Sequence, residues 1–289
     1  MLIVMTGATS GIGEGAATRL IAAGHEVIAG TRGTPAPSGV RELPLDLANL
    51  TSVRAFAARC PDGIDSLVLN AGMQVHTIEQ RTAEGFELTF GVNHLAHYLL
   101  ARLLLPKIID GGRIVFTSSG THDPEEKTGV PAPRHADALR LADPATDPEA
   151  GKSGIGSGLR AYSTSKLCNL MTARTLAARN EVTARGIMVH AYDPGFIPAT
   201  GLARNSPWPV RALVMPLLSR LPLGKGANRL SDGADALAGL ADGTIANDRV
   251  YMSLRGGKPT WPEPSKLARD DALCAKLWAD SAAMVGLTA

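Results

Sequence analysis

Thr6-Gly7-Ala8-Thr9-Ser10-Gly11-Ile12-Gly13 decides the fold of this chain. The stretch follows the apolar run Leu2-Ile3-Val4-Met5 and opens a helical pattern from Gly13 to Ala23, so three glycines stand where a strand gives way to a helix. Glycines there let the backbone turn sharply and approach phosphate oxygens, while the helix N-terminus offers unpaired N–H groups and a partial positive charge. That combination suits the pyrophosphate of a dinucleotide.

Outward from the glycines, short β-rich runs alternate with helical ones. Strand-like segments are Leu2–Thr6, Glu26–Gly30, Val40–Leu45 (with Pro44 near its end), Ser66–Leu69, Arg113–Thr117 and Ile187–Tyr192. Helical patterns run from Leu50 to Arg59, Ala83 to Leu105 and Ala161 to Asn180, and Gly24 sits where a left-handed cap closes the first helix. Such alternation predicts the α/β class: a doubly wound parallel sheet flanked by helices, one Rossmann-fold domain over residues 1–289. Two regions break the rhythm. A Pro- and Gly-rich stretch from Gly120 to Leu159, with a short helical hint at His135–Ala142, reads as a long functional loop, and Ser206–Leu223 reads as an apolar helical flap.

Composition narrows the function classes. The net charge of +2 is spread along the chain with no basic block, which argues against nucleic acid as a partner. Cys60, Cys168 and Cys274 are odd in number and lack metal-ligand spacing, which suits buried thiols in a reducing compartment. His94 and His97 share a helix without a metalloprotease glutamate, so no metal is expected. The most apolar stretches are interrupted by Arg102, Lys107, Arg211 and Arg220 and are too short to span a membrane. With the fold starting directly at Leu2, the expected location is the cytoplasm.

Tyr162 and Lys166 stand four residues apart on one predicted helix, so phenol and ammonium share a face. A phenol titrates near pH 10, and exchanging a proton near neutrality calls for about 2 to 3 pH units of help, which nearby positive charge can supply. At the end of the second strand, Gly30-Thr31-Arg32 replaces the acid that commonly holds an adenosine ribose. Arg32, with Ser10 beside it, favours a 2′-phosphate and hence NADP(H) over NAD(H).

In this order, the glycine motif, Asp46-Leu47, Asn70-Ala71-Gly72, Asn93, Ser118-Ser119, Tyr162…Lys166 and Pro194-Gly195 resemble the short-chain dehydrogenases/reductases over essentially the whole chain. The resemblance implies that Thr9, Ser10, Gly11, Ile12 and Gly13 follow the phosphates, that Asp46 meets the adenine amino group, and that Asn70-Ala71-Gly72 borders the adenine ribose. Pro194, Gly195 and Ile197 would line the nicotinamide. Tyr162 would be the proton donor and acceptor, Ser119 would steady the substrate oxygen, Lys166 would hold the nicotinamide ribose, and Asn93 would anchor a water leading from Lys166 to solvent.

Val92–Leu100, Ala161–Asn169 and the long loop before Tyr162 are similar to retinol dehydrogenases and protochlorophyllide reductases. Phe196 stands where the latter have a cysteine, and Gly72 is the ordinary family glycine; both depart from the light-driven enzyme. The expectation is therefore an NADP(H)-dependent interconversion of a carbonyl and an alcohol on a lipophilic small molecule, by a monomer or homodimer. Ordinary family members pair through helices matching Ala83–Leu105 and Ala161–Asn180. The rival readings are a non-catalytic NADP(H)-sensing regulator and a double-bond reductase of the protochlorophyllide reductase type.

Overall fold

The computed structural model describes residues 1–197 and 227–289. Eight strands form one sheet in the order β3-β2-β1-β4-β5-β6-β7-β8. They are β1 (Leu2–Thr6), β2 (Glu26–Thr31), β3 (Arg41–Pro44), β4 (Ile64–Leu69), β5 (Ile108–Thr117), β6 (Met188–Asp193), β7 (Tyr251–Arg255) and β8 (Lys258–Thr260). All neighbours are parallel except β7 and β8. Pro44 is tolerated because β3 is an edge strand.

Two apolar layers sandwich the sheet, which is why its strands read as continuous hydrophobic runs. Val4, Leu67, Leu69, Ile114 and Phe116 face one layer, with α2 (Leu50–Arg59), α4 (Ala96–Leu104), α6 (Ile155–Ala177) and α9 (Asp271–Met284). Ile3, Met5, Val68 and Val115 face the other, with α1 (Gly11–Ala22) and α8 (Leu230–Asp242). Gly24 takes a φ of +82° behind α1, as its position predicts. Successive strands are added in one direction from β1 to β3 and in the other from β4 onward, so a crevice opens at the carboxyl ends of β1 and β4.

The helix expected over Ala83–Leu105 is shorter and broken. Arg81 and Glu87 bridge into a turn, Glu87 then caps α3 (Leu88–Phe90), and a π turn (Gly91–Leu95) separates α3 from α4. α6 starts six residues earlier than the sequence pattern suggests, running through Gly156 and Gly158. The long loop before it holds α5 (Ala138–Ala142) and several 3-10 turns, and the short α7 (Asn180–Thr183) follows α6. The apolar flap expected over Ser206–Leu223 lies outside the described residues. Among the described residues, no helix is long and apolar enough to cross a membrane, and no acidic, histidine and cysteine side chains gather as a metal-binding group.

Candidate active site

The glycine loop is closed on one side and open on the other. A Cβ on Gly13 would collide with the Gly7 carbonyl and lie 2.5 Å from Asn70 Nδ2, and one on Gly7 would lie 2.8 Å from Ala71 Cα. A Cβ on Gly11 would meet nothing within 4 Å, and Gly11 holds a φ of +61°. Ser10 precedes α1 without a side-chain capping bond, so the head of the helix presents its N–H groups toward that open side. Thr9, Ser10 and Ile12 belong to the same turn. The space beside Gly11 and the unsealed helix head fit a phosphate group.

Asn70 fixes this loop to the sheet. Its backbone N–H and that of Ala71 donate to Thr6 Oγ1, each at 3.0 Å; its Nδ2 donates to Gly7 O at 3.2 Å, and its Oδ1 accepts from Thr117 Oγ1 at 3.1 Å. At the adenosine end, Arg32 Nη1 lies 3.2 Å from Asp46 Oδ1, and the guanidinium is mostly exposed. Leu47 packs on the core beside them. Arg32 and Asp46 thus sit together at the edge where the sequence places the adenosine.

At the carboxyl ends of β5 and β6 the other predicted residues converge. Tyr162 and Lys166 are both buried, with Lys166 Nζ 5.7 Å from the Tyr162 ring centroid. Lys166 Nζ donates to Thr117 O at 3.0 Å, and burial lowers it to about 8. Burial also pushes the Tyr162 phenol well above its ordinary value; a hydrogen bond with Ser119 opposes that, and the charge on Asp193 adds to it. Desolvation of the phenolate dominates, so the lowering expected from Lys166 does not appear at Tyr162. Ser118 points away, donating to Lys166 O at 2.9 Å, which leaves Ser119 as the serine beside the phenol.

Asn93 lies in the π turn. Its Nδ2 donates to Met73 O at 2.9 Å and to Ser165 Oγ at 3.0 Å, and its Oδ1 accepts from Met73 N at 2.8 Å. A Cβ on Gly72 would lie 3.1 Å from Lys166 Nζ and 3.6 Å from Asn93 Oδ1, so the chain after β4 runs close against both side chains. Pro194, Gly195 and Ile197 follow β6 at the same edge, with Gly195 N–H bonded to Asp193 Oδ1 at 2.8 Å.

Two residues beside the site were not among its predicted members. His97, fully buried, joins Thr6 Oγ1 (3.0 Å from Nε2) to the Asn93 carbonyl (2.9 Å from Nδ1). Thr6 Oγ1 already accepts two backbone N–H groups, so its own proton goes to Nε2 and the imidazole proton is on Nδ1. Burial lowers His97 to about 4, so it is a neutral strut between the glycine loop and Asn93. The spacing of His97 four residues after Asn93 was a visible signal. Asp193, the second, carried none, since its partners come from β7.

The N-terminal residues 1–129 match the family model for short chain dehydrogenases. Dehydrogenase/reductase SDR family member 13 of Bos taurus is 33% identical over 310 residues, an alignment spanning 98% of this chain and 73% of that protein. The chain belongs to the short-chain dehydrogenase/reductase family. Protochlorophyllide reductase A of Oryza sativa subsp. japonica is 31% identical over 315 residues, spanning 99% of this chain and 81% of that one. Among solved structures, an uncharacterised protein from Mycobacterium Paratuberculosis superposes with a TM-score of 0.71 at 28% identity, covering 99% of this chain and 94% of that one. BdcA in complex with NADPH shares the fold, with a TM-score of 0.62 at 20% identity over 91% of this chain and 96% of its own. This member of the family is therefore an oxidoreductase with relatives in the retinol dehydrogenase and protochlorophyllide reductase-like branch.

Proposed function

We propose that the chain interconverts a carbonyl and an alcohol on a lipophilic small molecule, using NADP(H). The observation that carries this reading is the buried Tyr162 side chain with the Lys166 ammonium 5.7 Å from its ring and Ser119 beside the phenol, at the sheet edge reached from the open glycine loop. A protonated phenol next to a second hydroxyl is a proton donor with a built-in partner for the substrate oxygen.

Gly7, Thr9, Ser10, Gly11, Ile12 and Gly13 would hold the pyrophosphate, Asp46, Asn70 and Ala71 the adenosine, and Lys166, Pro194, Gly195 and Ile197 the nicotinamide end. Arg32 would exchange Asp46 for the 2′-phosphate, a doubly charged partner that suits a guanidinium better than one exposed carboxylate. Two structural relatives are NADPH or NADP complexes, consistent with that choice. When bound, the reduced nicotinamide supplies a hydride to the carbonyl carbon. Tyr162 gives its proton to the carbonyl oxygen, Ser119 donates a hydrogen bond to the same oxygen, and the Lys166 ammonium stabilises the phenolate left behind. Asn93 holds Met73 and Ser165 around that centre.

Met73, Val75 and Ile78 follow the fourth strand, and Phe196, 63% exposed, follows Gly195 after β6, so apolar residues succeed the strands at the carboxyl edge of the sheet. They favour a lipophilic ketone, aldehyde or alcohol. A second reading, reduction of a carbon–carbon double bond, is favoured by the likeness to protochlorophyllide reductases along almost the whole chain.

The test is a screen of NADPH and NADH oxidation against lipophilic ketones, aldehydes and conjugated alkenes, with products identified. NADPH-linked conversion of carbonyl to alcohol is expected. Tyr162→Phe should bind NADPH as before and lose turnover by about 10² to 10⁴-fold. Undiminished turnover in Tyr162→Phe sinks the reading, and saturation of an alkene by the wild type moves it to the second.

A further inference from the structure

A cleft lies between the pre-tyrosine loop and the side of α6 that carries Ser157, Arg160, Ala161 and Thr164, which are spaced i, i+3, i+4 and i+7. It encloses about 530 Å³ of empty space, its mouth included. Ser119, Tyr162 and Lys166 do not line it, so it is separate from the site above. Arg134 and Arg140 from the loop line it together with Arg160 from α6. Among the described residues, none of these three side chains forms an ion pair, and Arg160 Nε donates to Ala132 O at 3.3 Å.

Two acids share the cleft, and both are already engaged. Glu87 is buried, and its two oxygens accept the N–H groups of Thr89 at 2.9 Å and Phe90 at 2.7 Å. Asp147 Oδ2 takes His135 Nε2 at 3.1 Å, and Oδ1 takes the Glu149 N–H at 3.0 Å. The other acids of the loop turn elsewhere: Asp137 lies 3.6 Å from Lys276 and Asp143 lies 3.8 Å from Arg81. With both lining acids ionised, three guanidinium groups leave one positive charge over. Burial lowers Arg160, and the like charge of Arg134 adds to it, a repulsion that an anion between them would relieve. The remaining wall is apolar and graded: Phe90 is buried and Ile78 and Leu141 are half-buried, whereas Arg134 and Arg140 are exposed, so the charge lies toward solvent.

We propose that this cleft is a binding site for a lipophilic monocarboxylate, with the head group among the guanidinium groups and the chain along Ile78, Phe90 and Leu141. One carboxylate matches the one surplus charge, and a guanidinium offers it a forked pair of N–H groups. Inorganic phosphate would satisfy the arginines and leave the apolar wall to water, and a neutral lipid would do the reverse. The wall is held in place without a ligand. Ile78 N–H donates to Ser153 Oγ at 3.3 Å, Ile78 O accepts from Arg81 Nη1 at 2.6 Å, and Thr77 Oγ1 lies 2.8 Å from the same serine oxygen.

The experiment titrates the full-length protein, saturated with NADPH, with octanoate, octanol, acetate and inorganic phosphate by calorimetry at low salt, where a partly exposed charge is least screened. Binding is read without turnover, so the result does not depend on the reaction proposed above. Octanoate should bind, and the other three should bind at least about tenfold more weakly, since each lacks either the charge or the chain. Arg134→Gln and Arg140→Gln, both at exposed positions, should each weaken octanoate by about tenfold, the loss of one charge-assisted contact. Arg59→Gln, the same change of charge on the exposed side of α2, should leave it as it was. The Ile78 methyl NMR signal, assigned by its absence in Ile78→Val, should move along the same binding curve. No octanoate binding, equal binding of octanol, or an affinity untouched by both loop arginines overturns the proposal, as does octanoate binding that leaves the Ile78 methyl in place. Phosphate bound as tightly as octanoate overturns the monocarboxylate.

Discussion

Lys166 illustrates how function and stability compete at one residue. Its ammonium is buried, with Thr117 O as a hydrogen-bond acceptor, and lies at about 8 against an ordinary value of 10.5. Because the folded value is below the unfolded one, the unfolded chain holds the extra proton between pH 8 and 10.5. The folded state is penalised in full below pH 8, and that penalty fades as pH rises through this window. Lys166→Met should therefore raise unfolding stability by about 1 to 3 kcal/mol at pH 7, with the gain shrinking above pH 8, while abolishing turnover. Urea denaturation across that pH range checks it; a variant no more stable than wild type at pH 7 refutes it. The i, i+4 spacing was enough to put Lys166 beside Tyr162. That burial would raise the phenol rather than let the lysine lower it was not legible, since desolvation depends on β5 and β6 closing over the helix from elsewhere in the chain.

At the scale of elements, α6 owes its early start to one glycine. A Cβ on Gly158 would overlap the Val75 carbonyl and lie 2.7 Å from Thr77 N, so this helix and the segment after β4 touch backbone to backbone. Gly156, one residue pair earlier, has open space where its Cβ would be. Gly158→Ala should lower the thermal midpoint by several degrees and raise KM for substrate by displacing the 75–77 segment, whereas Gly156→Ala should gain about 0.5 to 1 kcal/mol from its helical position. Equal melting curves for the two variants would refute the contact. In the sequence both glycines read as loop, because a glycine needed for close approach and one without such a role look alike until the neighbour is known. The π turn was hidden too: Gly91–Leu95 has ordinary helical periodicity, and the wider turn shows only in its backbone bonding, where Ala96 N–H reaches Gly91 O.

Across the whole molecule, α9 and the residues after it cover the outer side of α4 and α6. Trp278 packs edge-on against Tyr98 at 4.9 Å and lies under the Arg102 and Arg179 guanidinium groups; His94 reaches Ser281 at 2.9 Å. Arg54, Arg102 and Arg174 bond to the carbonyls of Val285, Thr288 and Ala268. These are the helices through which ordinary family members pair, and here the chain itself occupies that face. Light scattering should give the 30.1 kDa monomer, independent of concentration; a dimer that Trp278→Ala fails to change would show that another face pairs. The doubly wound parallel class with helices on both faces followed from the alternation of short β runs and longer helices, though β7 and β8 were not among the strands it marked; the packing of α9 on α4 joins residues some 180 positions apart and left no local trace. This arrangement also orders events during synthesis. The ribosome releases α4 and α6 long before Trp278 exists, so a nascent chain carries a large sticky face until its final segment emerges, and that interval is when a chaperone would have something to hold.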